Sequence, residues 1–96
     1  VLFLIDIDID YARLGEHGQQ MLEEESKVSK RLFSEGINLR IWRKANAMGV
    51  VVIARHPDHQ SLHDTLRGMP LFPFFKDIRV TPLVPHPKYP QFAEPD

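Results

Sequence analysis

The chain has 96 residues, 43% hydrophobic and 26% charged, with a formal net charge of −1, which allows one small unit, 1–96, built on one modest core. No Lys/Arg-rich run invites nucleic acid, and the apolar opening is interrupted at Asp6, so neither a membrane span nor a signal peptide is expected. The absence of cysteine excludes a disulfide framework and thiolate chemistry, and a reducing cytoplasm is the expected compartment.

Residues 1–10 predict a strand. Phe3, Ile5, Ile7 and Ile9 alternate with Leu4, Asp6, Asp8 and Asp10, so one face is apolar and the other mostly acidic. The aspartates read as a solvated sheet face; as a metal-binding comb they lack a completing ligand nearby. Residues 11–18 are a connection, and helix one is expected over 19–35 with Gly36 as its stop. Met21, Val28 and Leu32 form its apolar stripe. Glu25, four after Met21 and three before Val28, falls within that stripe, whereas Glu23 and Glu24 point elsewhere. Glu25 is then either a boundary residue with its head in water or a working carboxylate whose pKa is raised by desolvation.

A second strand is expected over 37–43, with Ile37, Leu39, Ile41 and Arg43 on one face and Asn38, Arg40 and Trp42 on the other. A turn at Lys44, Ala45 and Asn46 leads to a third strand, 47–55, apolar enough to be central or covered on both sides. Gly49 within it marks a bulge or a close approach. Asp58 or Ser61 caps helix two, which places Leu62 and Leu66 on one face and ends at Gly68 ahead of Pro70. The loop 71–75 carries Leu71, Phe72, Phe74 and Phe75, which must plug a core, line a pocket or meet another subunit. A fourth strand, 76–83, turns Ile78 and Val80 inward. Prolines then recur at 82, 85, 87, 90 and 95, so 82–96 reads as an extended tail that cannot fold back as a helix. The order βαββαβ predicts an α+β, ferredoxin-like fold, with a four-stranded antiparallel sheet and two helices on one face. The other face, carrying Leu4 and Trp42, is expected to be closed off by another chain.

Three constellations bear on chemistry. His56, His59 and His63 are spaced for zinc on a helix, but His56 precedes Pro57 and no acid or cysteine completes the set, so a solvent-facing helix start is expected. Ser61, His63 and Asp64 are neighbours on one helical turn and cannot converge as a triad. Arg43 shares the face assigned to the helices. It stands either in a salt bridge at a strand end or as a cation beside Glu25, holding an anionic substrate or a developing enolate.

The run Leu62-His63-Asp64-Thr65-Leu66, with Pro70-Leu71-Phe72-Pro73 a few residues on, resembles the muconolactone isomerases. Ile41-Trp42-Arg43, His86-Pro87, Arg31-Leu32 and Glu35-Gly36 match further landmarks of that family, from about residue 24 to residue 87. The resemblance implies conversion of muconolactone, a small lactone carboxylate, to the 3-oxoadipate enol-lactone in the β-ketoadipate pathway of aromatic catabolism. It implies no cofactor and no metal, and a cytoplasmic homo-oligomer, a decamer, with no nucleic-acid or membrane partner. The family's proton-accepting glutamate falls, by spacing from Arg31-Leu32, on Glu25. Substrate contacts are expected from Arg43, Trp42, Phe72, Phe74 and His86. The chain departs from the family pattern at Ser26, where a lysine is usual, at Phe74 (tyrosine) and at Pro85 (arginine), so substrate-anchoring groups are expected to differ. A related dehalogenase of 5-chloromuconolactone uses the same proton abstraction and is the first alternative. A non-catalytic ferredoxin-like binding or assembly module is the second.

Overall fold

Burial along the first strand alternates residue by residue. Phe3, Ile5, Ile7 and Ile9 are buried and the residues between them half-exposed, as a sheet covered on one face requires. The structure, a computed structural model, describes residues 1–93. Its elements run β1 (Leu2–Ile9), α1 (Gly18–Ser34), β2 (Asn38–Arg43), β3 (Gly49–Arg55), α2 (His59–Arg67) and β4 (Phe75–Leu83). The strands form one antiparallel sheet in the order β2-β3-β1-β4. This is the α+β, βαββαβ arrangement read from the sequence, with β1 and β3 central. Pro82 lies in β4, an edge strand, where a missing N–H donor is tolerated.

The core is built on the inner face of β1 and β3. Phe3, Ile5, Ile7, Ile9, Val52 and Ala54 supply the floor, and Leu14, Leu62 and Leu71 pack on it. Burying a large aliphatic or aromatic side chain is worth about 1.5–3 kcal/mol, so these few residues carry much of the stability of so short a chain. Gly49 is a close approach: a Cβ there would lie 1.9 Å from the carbonyl oxygen of Ile7 across the β1–β3 pair. Gly36 ends α1 with a φ of 73°, and the N–H of Ile37 donates to the Leu32 carbonyl at 2.9 Å. Asp58 caps α2, its Oδ1 accepting from the Ser61 N–H at 2.8 Å.

Three local expectations are corrected and one connection gains a definite shape. The pairing of β2 slips between Asn38 and Arg40, with Asn38 opposite Ala54 and Arg40 opposite Ile53. This bulge turns Asn38 to the helix-covered face, where it is buried, rather than to the outer face with Trp42. The third strand begins at Gly49 rather than at residue 47, because Ala47 takes a φ of 63° and Asn46 Oδ1 accepts from the Met48 N–H at 2.9 Å. The connection after β1 is helical at short range, two 3-10 turns over Tyr11–His17 joined at Gly15. The tail also makes one 3-10 turn, Pro90–Phe92, with proline at a position where its missing N–H costs nothing. Pro95 lies outside the described residues.

The uncovered sheet face is charged as well as apolar. Lys44 lies against Asp6 and Asp8, and Arg79 bridges Asp6 at 3.1 Å and Asp77 at 2.7 Å. Lys44 first, and then Arg79, hold the Asp6 carboxyl below the usual carboxylate range. Asp6 and Asp8 therefore stand as members of an ion-pair network.

Candidate active site

A cavity of about 400 Å³ lies between the helices and the inner face of the sheet. Its floor is apolar, from Ile5, Ile7, Ile9, Val50 and Val52, and Leu32, Leu62 and Leu66 wall it from the helices. Such an apolar floor lowers the local dielectric and strengthens electrostatic interactions close to it.

Glu25 opens into this cavity. It lies half-buried on the α1 stripe with Met21, Val28 and Leu32, where the periodicity placed it. The loop after α2 completes its setting: the Leu71 backbone N–H donates to Glu25 Oε1 at 2.9 Å. Leu71 is itself 2% exposed, fixed as the anchor of that loop. Burial pushes the Glu25 carboxyl above the ordinary carboxylate range, and the Leu71 N–H, by stabilising the ionised form, offsets part of this rise. A carboxylate with raised proton affinity in an apolar cavity can take a proton from an activated carbon and return it.

The other expected contacts do not line the cavity of their own chain. Arg43 pairs with Val50, which pairs with Ile7, so it does share the helix-covered face. It is nevertheless exposed on the edge strand, and among the described residues no ion pair joins it to Glu25. Trp42 lies on the opposite sheet face, in register with Val51 and Asp6, and is 55% exposed. Phe72 packs edge-on against Phe75 at 5.9 Å and under the Arg67 guanidinium at 5.6 Å, while Arg13 sits 5.8 Å over the Phe74 ring. Of the 71–75 loop, Leu71 and Phe75 face the cavity instead. His86 is exposed, its Nδ1 accepting from the Lys88 N–H at 3.1 Å and its ring 4.9 Å from Tyr89.

Several cavity residues escaped the sequence reading. Tyr11, Lys30, Asn38 and His56 all line it. His56 carried a signal: stepping by two from Val52 and Ala54 along the buried face of β3 lands on it. Asn38 carried none, because the bulge resets the alternation. The histidines do not converge: His56 is buried, His59 packs its ring 5.7 Å from Phe3 and His63 is exposed. Among the described residues, no group of three or more His, Cys, Asp or Glu is placed to hold a metal ion. No helix of the described residues is long and apolar enough to cross a membrane.

An α+β sheet with two helices, and a half-buried carboxylate in the cavity they enclose, define a class of small ferredoxin-like protein suited to proton transfer. Within that class the chain belongs to the muconolactone delta-isomerase family, whose sequence model matches residues 1–89. It is 33% identical over 83 residues to a muconolactone delta-isomerase of Pseudomonas aeruginosa, covering 86% of this chain and 81% of that protein. A muconolactone delta-isomerase of Cupriavidus pinatubonensis is 29% identical over 89 residues, covering 91% and 96%. The fold is similar to the crystal structure of a muconolactone isomerase, with a TM-score of 0.80 and 30% identity over 91% of this chain and 92% of that one. A 5-chloro-2-hydroxyhydroquinone dehydrochlorinase of Burkholderia phenoliruptrix shares the fold at a TM-score of 0.65 and 18% identity, covering 93% and 98%.

Proposed function

We propose that this chain isomerises muconolactone to the 3-oxoadipate enol-lactone in aromatic catabolism, with Glu25 as the base that moves the proton. The observation that carries the reading is the position of Glu25, a carboxylate of raised proton affinity in an apolar cavity of a family fold. In this reaction a ring C–H bond breaks at the carbon conjugated through the alkene to the lactone carbonyl. The electron pair delocalises over the ring as a dienolate, with charge collecting on the carbonyl oxygen. Glu25 holds the proton and delivers it to the carbon next to the carbonyl, so the double bond shifts and nothing is consumed. One base serves both steps because the two carbons lie on the same small ring.

The substrate also carries a carboxylate, which the reading places at the cavity rim. Lys30 lines the cavity and is exposed, so it can meet that charge without a desolvation cost. Arg43, Trp42, Phe72, Phe74 and His86 remain substrate contacts of the assembled protein in this reading, brought to the cavity by a neighbouring copy. The test is turnover of muconolactone followed by absorbance, with the 5-chloro analogue as a second substrate. Isomerisation of the plain lactone is the expected result. Chloride release without isomerisation would transfer the assignment to the dehalogenase, and inertness toward both would leave a binding module.

The assembled state belongs to the same proposal. Trp42 and Val80 are 55% and 39% exposed on the sheet, and Val84 and Phe92 are 87% and 79% exposed in the tail, apolar surface that assembly would cover. We take the protein to be a cytoplasmic homo-oligomer of ten chains. Cells producing it should yield it in the cytosolic fraction as a large species in sedimentation velocity. A monomer at micromolar concentration counts against the assembly.

A further inference from the structure

His56 is the buried titratable group that the proton transfer above leaves without a task. It is 2% exposed, follows directly after β3 and lines the same cavity as Glu25. Its ring is held rather than merely packed. Nδ1 lies 3.2 Å from Ser61 Oγ, and Ser61 is itself fixed in the first turn of α2 by the bond from its N–H to Asp58. The His56 backbone is pinned too, its N–H donating to the Val1 carbonyl at 3.0 Å, and its ring centroid is 6.2 Å from that of Phe3. Among the described residues, none hydrogen-bonds to the other ring nitrogen, Nε2.

The chemistry of the cavity calls for a donor of this kind. When the proton leaves the ring carbon, negative charge gathers on the lactone carbonyl oxygen. In an apolar enclosure that charge needs a fixed hydrogen-bond donor, and a preorganised one acts without reorganisation at the moment of reaction. Burial pushes the His56 pKa down, so the ring is neutral near neutrality. A neutral imidazole has one donor nitrogen, and the partner of the other decides which. The 3.2 Å contact allows the Ser61 hydroxyl to donate to Nδ1, and in that arrangement the proton sits on Nε2.

We propose that His56, its tautomer set by Ser61, donates a hydrogen bond from Nε2 to the carbonyl oxygen of the bound lactone. His56 keeps its proton throughout; only Glu25 exchanges one with the substrate. Ser61 is a positioning residue that acts through the ring. The proposal rests on the lactone reading of the cavity and adds a second group, lining the same cavity as the base, to meet the developing charge.

The test uses the full chain labelled with ¹⁵N-histidine and a probe that cannot react: the saturated analogue of muconolactone, which keeps the carbonyl and the carboxylate but has no ring double bond. In the free protein the His56 signals should be those of the Nε2–H tautomer, and Nε2 should shift on titration with the probe. In turnover, His56→Leu should lower kcat by about 10²–10³-fold, the usual loss on removing one such donor, with a smaller change in KM. His56→Gln, which restores an N–H donor, should recover part of it. The Nδ1–H tautomer, an Nε2 signal unmoved at saturation with the probe, or a His56→Leu kcat within a few-fold of the parent would each overturn the proposal. If His56→Leu fails to fold, the titration of the parent protein decides. Should the parent show no muconolactone turnover while Nε2 responds to the probe, the isomerase reading falls and His56 stands as a lactone-binding group. Turnover with a silent Nε2 has the opposite meaning.

Discussion

Glu25→Gln should lose about 10²–10⁴ in muconolactone turnover, the usual contribution of a positioned acid–base group, with fold and assembly unchanged. The substitution keeps the shape of the side chain and an oxygen for the Leu71 N–H, which meets Glu25 Oε1 at 2.9 Å, and removes only the basicity. Glu24→Gln is the control. Glu24 is exposed, off the stripe, and paired with Lys27 across 3.5 Å on the surface, so its loss should matter little. Equal behaviour of the two variants would sink the assignment.

The same pair also gives a pH test. The Glu25 pKa is raised in the fold, first by burial, above its ordinary value of 4.5. Below that ordinary value the folded and unfolded states both hold the proton, and the group adds nothing to a pH dependence. As the pH climbs through the folded value, the folded protein must ionise a group that the unfolded chain ionises more easily, so stability falls. Relative to Glu25→Gln, the parent should therefore lose stability from acid to neutral pH, and the acid limb of its kcat/KM should lie above 4.5. A stability difference that is flat across this window, measured by denaturant titration at several pH values, would mean that the carboxylate is solvated.

Phe3→Ala should cost about 3–5 kcal/mol, the usual range for emptying a buried aromatic site. Phe3 is 0% exposed. It is held in register between Ala54 of β3 and Pro82 of β4, with the rings of His56 and His59 against it. Strands flank the site and a capped helix covers it, so the backbone around it has little freedom to collapse. Domains of this size have only about 5–15 kcal/mol in total, so the variant should stand near the edge of folding. Urea denaturation measures it, and a loss below about 1 kcal/mol would contradict the packing described.

Much of this fold is written in the sequence where a residue's position in a period decides its environment. The alternation of Phe3, Ile5, Ile7 and Ile9 with polar residues is the buried face of β1, and the spacing of Met21, Glu25, Val28 and Leu32 turns one carboxylate of an acidic run toward the cavity. Gly36, Gly49 and Asp58 were legible because each satisfies a local backbone demand. What was not legible depends on a break of period or on backbone geometry. The bulge between Asn38 and Arg40 inserts one residue and so exchanges the two faces upstream of it. His56 is expected, from its place ahead of Pro57, at a solvent-facing helix start, although it continues the buried row of the strand before it. The Leu71 N–H carries no side-chain signature, since any residue except proline would supply it. Exposure of Trp42 and His86 in a single chain is likewise beyond a periodic reading, which can assign a face but not the element that covers it.

The bond between Leu71 and Glu25 ties two properties that are usually adjusted separately. Burial is the larger influence on the carboxyl, and the N–H of Leu71 in the 68–75 loop the smaller, opposing one. A displacement of that loop that also let water reach the carboxyl would remove both, and the proton affinity would then fall toward that of an ordinary glutamate. Linkage makes the relation reciprocal. The ionised carboxylate favours the looser, wetter arrangement, and the protonated one favours the closed. In the reaction proposed for this cavity, the enclosure would then be tightest while Glu25 holds the proton, the interval in which a stray water would do most harm.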